Sequence, residues 1–268
     1  MALLDVRELT VSYGGVAANL GIDLQVEPGT VVGLIGPNGA GKTTFVDAVT
    51  GFTHATTGRI EFAGTELTGM GPAARARTGL ARTFQSVELF DDLTVRDNLA
   101  VAAGRPRWYS LLVDLVRPGR GRNDGADRVD RALTRMGLEA LAERPGAALS
   151  HGQRTLVGMA RALAAEPSLV LLDEPAAGLD TSESRQLGTR IRGLAAEGLS
   201  ILLIDHDMEL VMDVCDDVYV LDFGRVIAHG PPAAVRADPQ VVAAYLGTGG
   251  AAAVGDVAGD AAVEADHG

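Results

Sequence analysis

Residues 36–43 have the composition and spacing of a phosphate-binding loop. They read GPNGAGKT and match the pattern G-x-x-x-x-G-K-[ST] at every fixed position. Glycines let the backbone turn tightly, so that successive amide N–H groups point at phosphate oxygens, and a following helix adds the positive end of its dipole. Lys42, the only lysine in the chain, can bind the outer phosphates, and the Thr43 hydroxyl can ligate Mg²⁺. The alternative, an ordinary glycine-rich turn, is disfavoured by the position of that lysine. The candidate nucleotide contacts are Gly36, Pro37, Asn38, Gly39, Ala40, Gly41, Lys42, Thr43 and Thr44.

Two adjacent acids, Asp173 and Glu174, follow an apolar run at residues 169–172. A buried strand would deliver both carboxylates to the carboxyl edge of a sheet, where ligands of α/β folds bind. There Asp173 can hold Mg²⁺ through water. Glu174 can act as general base toward an attacking water, a role worth about 10²–10⁴ in rate. The alternative is that the pair only ends a strand.

The elements that must position these residues alternate along the chain. Short apolar runs predict strands over 22–26, 31–35, 59–62, 169–172 and 201–204. Intervening segments predict helices over 42–50, 126–136, 150–165 and 182–196. Continuous rather than alternating apolar runs are typical of strands buried on both faces, so we expect an α/β fold with a parallel sheet covered by helices.

Composition excludes several classes of protein. Of the 268 residues, 47% are apolar and 22% charged, which is ordinary for a globular chain. The net charge of −12 and the aromatic content of 4% argue against a nucleic-acid partner. The single cysteine, Cys215, excludes an internal disulfide and a thiolate metal cluster, and we expect it to be a small buried residue. There is no secretory signal and no apolar run of roughly 18 residues, so we expect a cytoplasmic, soluble protein whose membrane role would require a partner.

Two segments differ from the rest in composition. Residues 104–125 are rich in Arg, Gly and Pro and predict an insertion or long loop, with a short helix at 108–116. This segment could contact a partner or lipid headgroups, although a solvated loop is the simpler interpretation. Residues 248–268 are dominated by small residues and acids, and they predict a disordered acidic tail.

Further motifs give the chain a resemblance to the ATP-binding cassette (ABC) proteins over about residues 3–247. Residues 149–153, LSHGQ, resemble the family signature L-S-G-G-Q and stand just before the strand of Asp173. Gln85 is similar to the glutamine of the family's Q-loop, and residues 178–180 are similar to its D-loop. His206 resembles the switch histidine, and Tyr13 lies where the family stacks an aromatic ring on adenine. Taken alone, His206 would be a polar residue at a strand end and Tyr13 a core or surface aromatic.

The resemblance implies a fold and a set of residue roles. It implies a P-loop NTPase cassette over residues 1–247, with a RecA-like core, an N-terminal antiparallel β subdomain and a helical signature subdomain over about 86–160. It implies an ATPase that uses ATP and Mg²⁺, with nucleotides sandwiched between two cassettes. The implied catalytic residues are Glu174, His206 and Gln85, and the implied Mg²⁺ ligands are Thr43, Gln85 and Asp173. The implied contacts to nucleotide besides the phosphate loop are Tyr13, Ser150, Gly152, Gln153 and Asp180.

The signature segment also has a physical interpretation of its own. Ser150 and Gln153 match the capping box S/T-x-x-E/Q, which predicts a helix start and is compatible with an anion site. His151 replaces the second glycine of the family pattern, which leaves open the backbone path at that position.

A narrower resemblance concerns the cargo. Residues 83–99, 205–212 and 244–247 resemble the ATPases of branched-chain amino-acid importers. This implies a subunit on the inner face of the cell membrane that works with transmembrane permease subunits, with a second identical or paralogous ABC ATPase and, indirectly, with a periplasmic or lipid-anchored substrate-binding protein. We expect residues 85–99 to contact the membrane subunits. Three alternatives remain: another cargo such as urea or lipopolysaccharide, a soluble ABC ATPase acting on ribosomes or DNA, and a small-molecule kinase, for which the signature segment would be unexplained.

Overall fold

The computed structural model describes residues 1–83, 88–104 and 120–247. The strands are β1 (Leu4–Tyr13), β2 (Val16–Val26), β3 (Val31–Ile35), β4 (Thr57–Phe62), β5 (Thr65–Glu66), β6 (Leu80–Arg82), β7 (Leu169–Asp173), β8 (Ser200–Ile204), β9 (Asp217–Asp222) and β10 (Arg225–Gly230). The α-helices are α1 (Lys42–Thr50), α2 (Pro72–Arg77), α3 (Val95–Ala103), α4 (Arg120–Met136), α5 (His151–Leu163), α6 (Thr181–Ala196), α7 (Met208–Val214), α8 (Pro232–Ala237) and α9 (Pro239–Gly247).

The runs of the sequence that are most strongly apolar form strands of a six-stranded sheet. Its strand order is β10-β9-β3-β8-β7-β6; the pairs from β9 to β6 are parallel, and β10 is an antiparallel edge. Every residue of β3, β7 and β8 is buried, and successive side chains alternate between two cores. Val31 and Ile35 pack on the side of the helices α3 to α7, whereas Val32 and Leu34 pack toward α1 and a second sheet. The predicted α/β fold with a covered parallel sheet is confirmed.

The second sheet is antiparallel and has the order β2-β1-β4-β5. The runs 22–26 and 59–62, predicted as strands, lie in this sheet. Its inner face belongs to the same core as α1, which contributes Phe45. β1 has the alternation of a half-buried strand, with Leu4, Val6, Leu9 and Val11 buried, yet it was not predicted, and neither were β9 and β10.

Helix α4 corrects the predicted boundary of the insertion. The helix begins at Arg120 instead of residue 126, so that residues 120–125 are helical and not part of a loop. Arg128 holds this end of the helix, because it pairs with Asp124 one turn earlier and donates from Nη1 to the carbonyl oxygen of Ala103, 3.2 Å away. The predicted helix at 108–116, Gln85 and the tail at 248–268 lie outside the described residues.

The parallel strands bring the candidate residues to one edge. β3 pairs with β8, and β8 pairs with β7, with Leu34 and Asp173 both in register with Ile204. The loops that follow these three strands therefore leave the sheet side by side at its carboxyl edge. Over the described ranges, no helix is both long enough and apolar enough to span a bilayer.

Candidate nucleotide site

The phosphate loop, residues 36–43, has a backbone that only glycine can supply at two positions. Gly36 has φ of 151°, and a Cβ added there would lie 2.0 Å from the carbonyl oxygen of Leu221. Gly41 has φ of 102°, and an added Cβ would lie 2.5 Å from the carbonyl oxygen of Ala18. The loop is thus pressed against β2 and β9. The residue at the N-cap position of α1 is Gly41, which has no side chain to accept from the first amides of the helix. Those amides are therefore left to other acceptors.

Lys42 lies inside this loop instead of extending into solvent. Its side chain is 7% exposed, and Nζ donates to the carbonyl oxygens of Gly36 at 2.6 Å and Pro37 at 3.1 Å. Burial lowers the pKa of Lys42, while the nearby carboxylates, of which Glu174 acts most strongly, work in the opposite direction. The loop therefore holds a cation at its centre, next to amides that can bind an anion.

Asn19 fixes the loop and was not predicted from the sequence. This residue of β2 is fully buried, and its Nδ2 donates to the carbonyl oxygen of Gly41 at 3.1 Å. A buried amide holds the peptide at which the loop becomes a helix. The available signal was an asparagine within a strand-like segment, which is an unusual residue for a buried strand position.

Asp173 is held by an arginine that sequence reasoning also missed. Arg82, at the end of β6, donates from Nη2 to Oδ2 of Asp173 at 2.8 Å and from Nη1 to Oδ1 of Asp47 in α1 at 2.5 Å. The amide of Asp173 donates to Oγ1 of Thr83 at 3.3 Å. Arg82 thus joins the end of β7 to α1 and orients the carboxylate at the sheet edge.

Glu174 and His206 meet at the same edge. Glu174 has a left-handed backbone, with φ of 49°, and its amide donates to the carbonyl oxygen of Ile204 at 2.7 Å. Nδ1 of His206 lies 3.9 Å from Oε2 of Glu174, which is too long for a hydrogen bond but close enough for both groups to address one small ligand. The geometry places a carboxylate and an imidazole beside each other, as predicted.

Asp205 holds the loops that carry Glu174 and His206. Like Asn19 and Arg82, it was not predicted from the sequence. It is fully buried, and its carboxylate accepts from the amides of His206 at 2.8 Å, Asp207 at 3.0 Å and Ala176 at 3.1 Å. Burial raises the pKa of Asp205, and these amide hydrogen bonds work against that rise. One carboxylate therefore fixes both the loop after β7 and the loop after β8.

The phosphate loop and Glu174 line one open depression. Its walls also include an exposed aromatic and an exposed aliphatic side chain, Phe223 and Val16. Tyr13, predicted as the adenine platform, is not among the lining residues. Its ring is 53% exposed, and its hydroxyl lies 3.2 Å from Oγ1 of Thr53.

The donor atoms near the phosphate loop fit Mg²⁺ chemically. The Thr43 hydroxyl and the Asp173 carboxylate are hard oxygen donors, which Mg²⁺ prefers together with water and phosphate oxygens. Across the described part of the chain, no three His, Cys, Asp or Glu side chains form a cluster that could enclose a metal. A cation at this edge would therefore depend on few protein ligands, as Mg²⁺ commonly does with nucleotides.

The signature residues Ser150, Gly152 and Gln153 lie at the start of α5. Ser150 caps α5, and the predicted capping box is confirmed: Oγ accepts from the amide of Gln153 at 3.3 Å, and Oε1 of Gln153 accepts from the amide of Ser150 at 3.1 Å. The histidine at 151 does not disturb this helix start. Asp180 forms an equivalent capping box with Glu183 at the start of α6. The depression at the phosphate loop is not lined by Ser150, Gly152, Gln153 or Asp180.

The fold and this site define a P-loop α/β nucleotide-binding cassette, and comparison with known proteins agrees. Residues 20–177 match the family described as ABC transporter, and residues 225–251 match one described as branched-chain amino acid ATP-binding cassette transporter. The chain is 39% identical over 249 residues to the high-affinity branched-chain amino acid transport ATP-binding proteins BraF of Pseudomonas aeruginosa and LivG of Escherichia coli K12, which covers 91% of this chain and 98% of each relative. A solved structure, the ADP conformation of MJ1267, an ATP-binding cassette of an ABC transporter, superposes with a TM-score of 0.81 at 31% identity over 92% of this chain and 99% of that one. The chain belongs to the ABC transporter family and is an ABC-type ATPase.

Proposed function

We propose that this chain is the ATP-hydrolysing subunit of an importer for branched-chain amino acids. The observation that carries the proposal is the 39% identity, over 91% of the chain, to two ATP-binding proteins of branched-chain amino-acid transport. The match of residues 225–251 to a family described by the same cargo adds support from a separate part of the sequence.

The proposed chemistry follows from the residues at the carboxyl edge. The amides of the phosphate loop and the ammonium of Lys42 bind the β- and γ-phosphates of ATP, and positioning with charge neutralisation is most of what phosphoryl transfer requires. Glu174 accepts a proton from the attacking water as general base. His206, 3.9 Å from that carboxylate, donates a hydrogen bond to the γ-phosphate and orients the water. Mg²⁺, held by Thr43 and Asp173, would neutralise charge on the phosphates.

The proposed site needs a second cassette. Ser150, Gly152, Gln153 and Asp180 do not line the depression at the phosphate loop of their own chain. The helix dipole places partial positive charge at the start of α5, so these residues suit the γ-phosphate bound by another subunit, identical or paralogous. Binding of ATP would then close two cassettes, and hydrolysis would reopen them.

The proposed contact with the permease lies beside Glu174. Phe90 and Val101 are apolar side chains that are 53% and 56% exposed, and they line a groove that also reaches Asp173 and Glu174. An exposed apolar groove is typical of a protein contact site. A helix of a transmembrane subunit seated there would respond to changes at the catalytic carboxylate. Within the segment predicted to make this contact, residues 85–99, Phe90 lines the groove, whereas Gln85 lies outside the described residues.

Purification from native membranes tests this function. We expect the chain to lie on the cytoplasmic face of the membrane and to be purified with transmembrane permease subunits and a second ABC ATPase. We expect its gene to lie beside the gene of a periplasmic or lipid-anchored binding protein. That binding protein, screened against amino acids, urea and lipopolysaccharide, should bind leucine, isoleucine or valine. Binding of urea instead, or recovery of the chain with ribosomes, would contradict the proposal.

A further inference from the structure

His151 makes a contact that the family pattern, with glycine at this position, cannot make. Its Nε2 lies 2.9 Å from the carbonyl oxygen of Ala177. Because a carbonyl oxygen only accepts, Nε2 must carry the proton of this hydrogen bond. The ring also packs against Gly178, where an added Cβ would come within 3.0 Å of Nε2. The first residue of α5 is therefore joined to the segment that follows Glu174.

That segment, the 175–180 loop, is itself tied to the catalytic edge. The amide of Ala177 donates to the carbonyl oxygen of Glu174 at 3.2 Å, and the amide of Ala176 donates to the buried Asp205 at 3.1 Å. The loop ends at Asp180, which caps α6. A displacement at residue 177 would thus reach the peptide of Glu174 through one hydrogen bond.

A second contact joins the start of α5 to the start of α6. A Cβ added at Gly152 would lie 2.7 Å from Oε1 of Glu183, whose carboxylate closes the capping box of α6. The first turn of α5 is therefore packed closely on the first turn of α6. Within this contact, His151 is the side chain that bonds to the 175–180 loop.

We propose that His151 is a positioning residue that ties the start of α5 to the 175–180 loop, so that contacts made by Ser150 with nucleotide are transmitted to the backbone at Glu174. This inference rests on the proposed function, because it assumes that Ser150 meets a γ-phosphate. The side chain does not touch the reacting atoms. It couples the two segments of one chain that would face the partner cassette.

Two variants of equal length isolate the hydrogen bond. His151→Gln keeps an N–H donor near the position of Nε2, whereas His151→Met has the same number of side-chain atoms along its length and no donor. In the full chain without nucleotide, we expect the backbone amides of residues 176–180 to exchange with deuterium about fivefold faster in H151M than in wild type, the effect of one net hydrogen bond. We expect H151Q to exchange at the wild-type rate.

Hydrolysis kinetics supply the functional readout. H151M should lower kcat by about fivefold and leave KM for ATP unchanged, because the phosphate loop is intact, and H151Q should restore kcat. The inference would be overturned if H151M had the exchange rate and the kcat of wild type. It would also be overturned if H151M and H151Q lost equal amounts of kcat and of protection from exchange. A wild-type chain that hydrolyses no ATP with its native partners would contradict the proposed function instead, and the exchange data would still decide whether His151 holds the loop.

Discussion

Arg82 offers the sharpest test of how the site is held together. Its guanidinium joins Asp173, at 2.8 Å, to Asp47, at 2.5 Å. The side chains of Arg82 and Asp173 are 9% and 8% exposed, so this is a buried pair, whereas Asp47 retains 30% exposure. Replacing Arg82 with Met keeps most of the aliphatic stem and removes the charge.

The expected loss follows from the charge that is left behind. Breaking a buried pair by removing one partner costs about 3–5 kcal/mol, because the remaining carboxylate is uncompensated, and a partly exposed pair adds about 0–1 kcal/mol. We therefore expect R82M to lower the free energy of unfolding by about 3–6 kcal/mol, or the melting temperature by about 6–24 °C. The double variant R82M/D173N should recover part of this loss, since it also removes the stranded charge.

Urea unfolding monitored by circular dichroism measures the effect, with Arg185→Met as the matched control. Arg185 pairs with Glu209 at 3.3 Å, but its side chain is 68% exposed and that of its partner 63%, so R185M should cost less than about 1 kcal/mol. Equal losses in R82M and R185M would refute the argument from burial. A double variant less stable than R82M would show that the stranded charge is not the cause.

Two further predictions concern Lys42 and Cys215. Lys42→Ala should weaken ATP binding at least tenfold in calorimetric titration, because it removes the cation inside the phosphate loop. Burial lowers the pKa of Lys42, so the empty site loses the lysine proton at a lower pH than an exposed lysine would. The ATP affinity of the wild type should therefore begin to fall at a lower pH than it would with an exposed lysine. Normal ATP affinity in K42A would show that Lys42 does not bind the phosphates. Burial raises the pKa of the Cys215 thiol to about 12, so the thiolate is scarce at pH 8 and alkylation should be slow in the native chain and fast in urea. Rapid native labelling would contradict the burial of Cys215.

Contiguous features of the sequence predicted the site best. The phosphate loop, the acids after β7 and the capping box at Ser150 each depend on neighbours within a few residues, so their pattern carries their structure. Helix α4 was predicted too short because residues 120–125 are polar and glycine-containing, and Arg128 stabilises them by contacts that periodicity does not reveal.

Residues that act across the fold escaped prediction. Asn19 bonds a peptide 22 residues away, Asp205 one 29 residues away, and Arg82 a carboxylate 91 residues away. Which polar side chain meets which backbone group is settled only when the strands are placed side by side. Such residues were visible in the sequence only as polar groups near apolar runs.

In the proposed reaction, Glu174 activates water against ATP bound in the phosphate loop. The most direct test is single-turnover ATP hydrolysis by the chain assembled with its native partners, measured for wild type and for Glu174→Gln. We expect E174Q to bind ATP with wild-type affinity and to hydrolyse it at least about 10²-fold more slowly, since a general base is worth about 10²–10⁴ in rate. Hydrolysis by E174Q at the wild-type rate would contradict it.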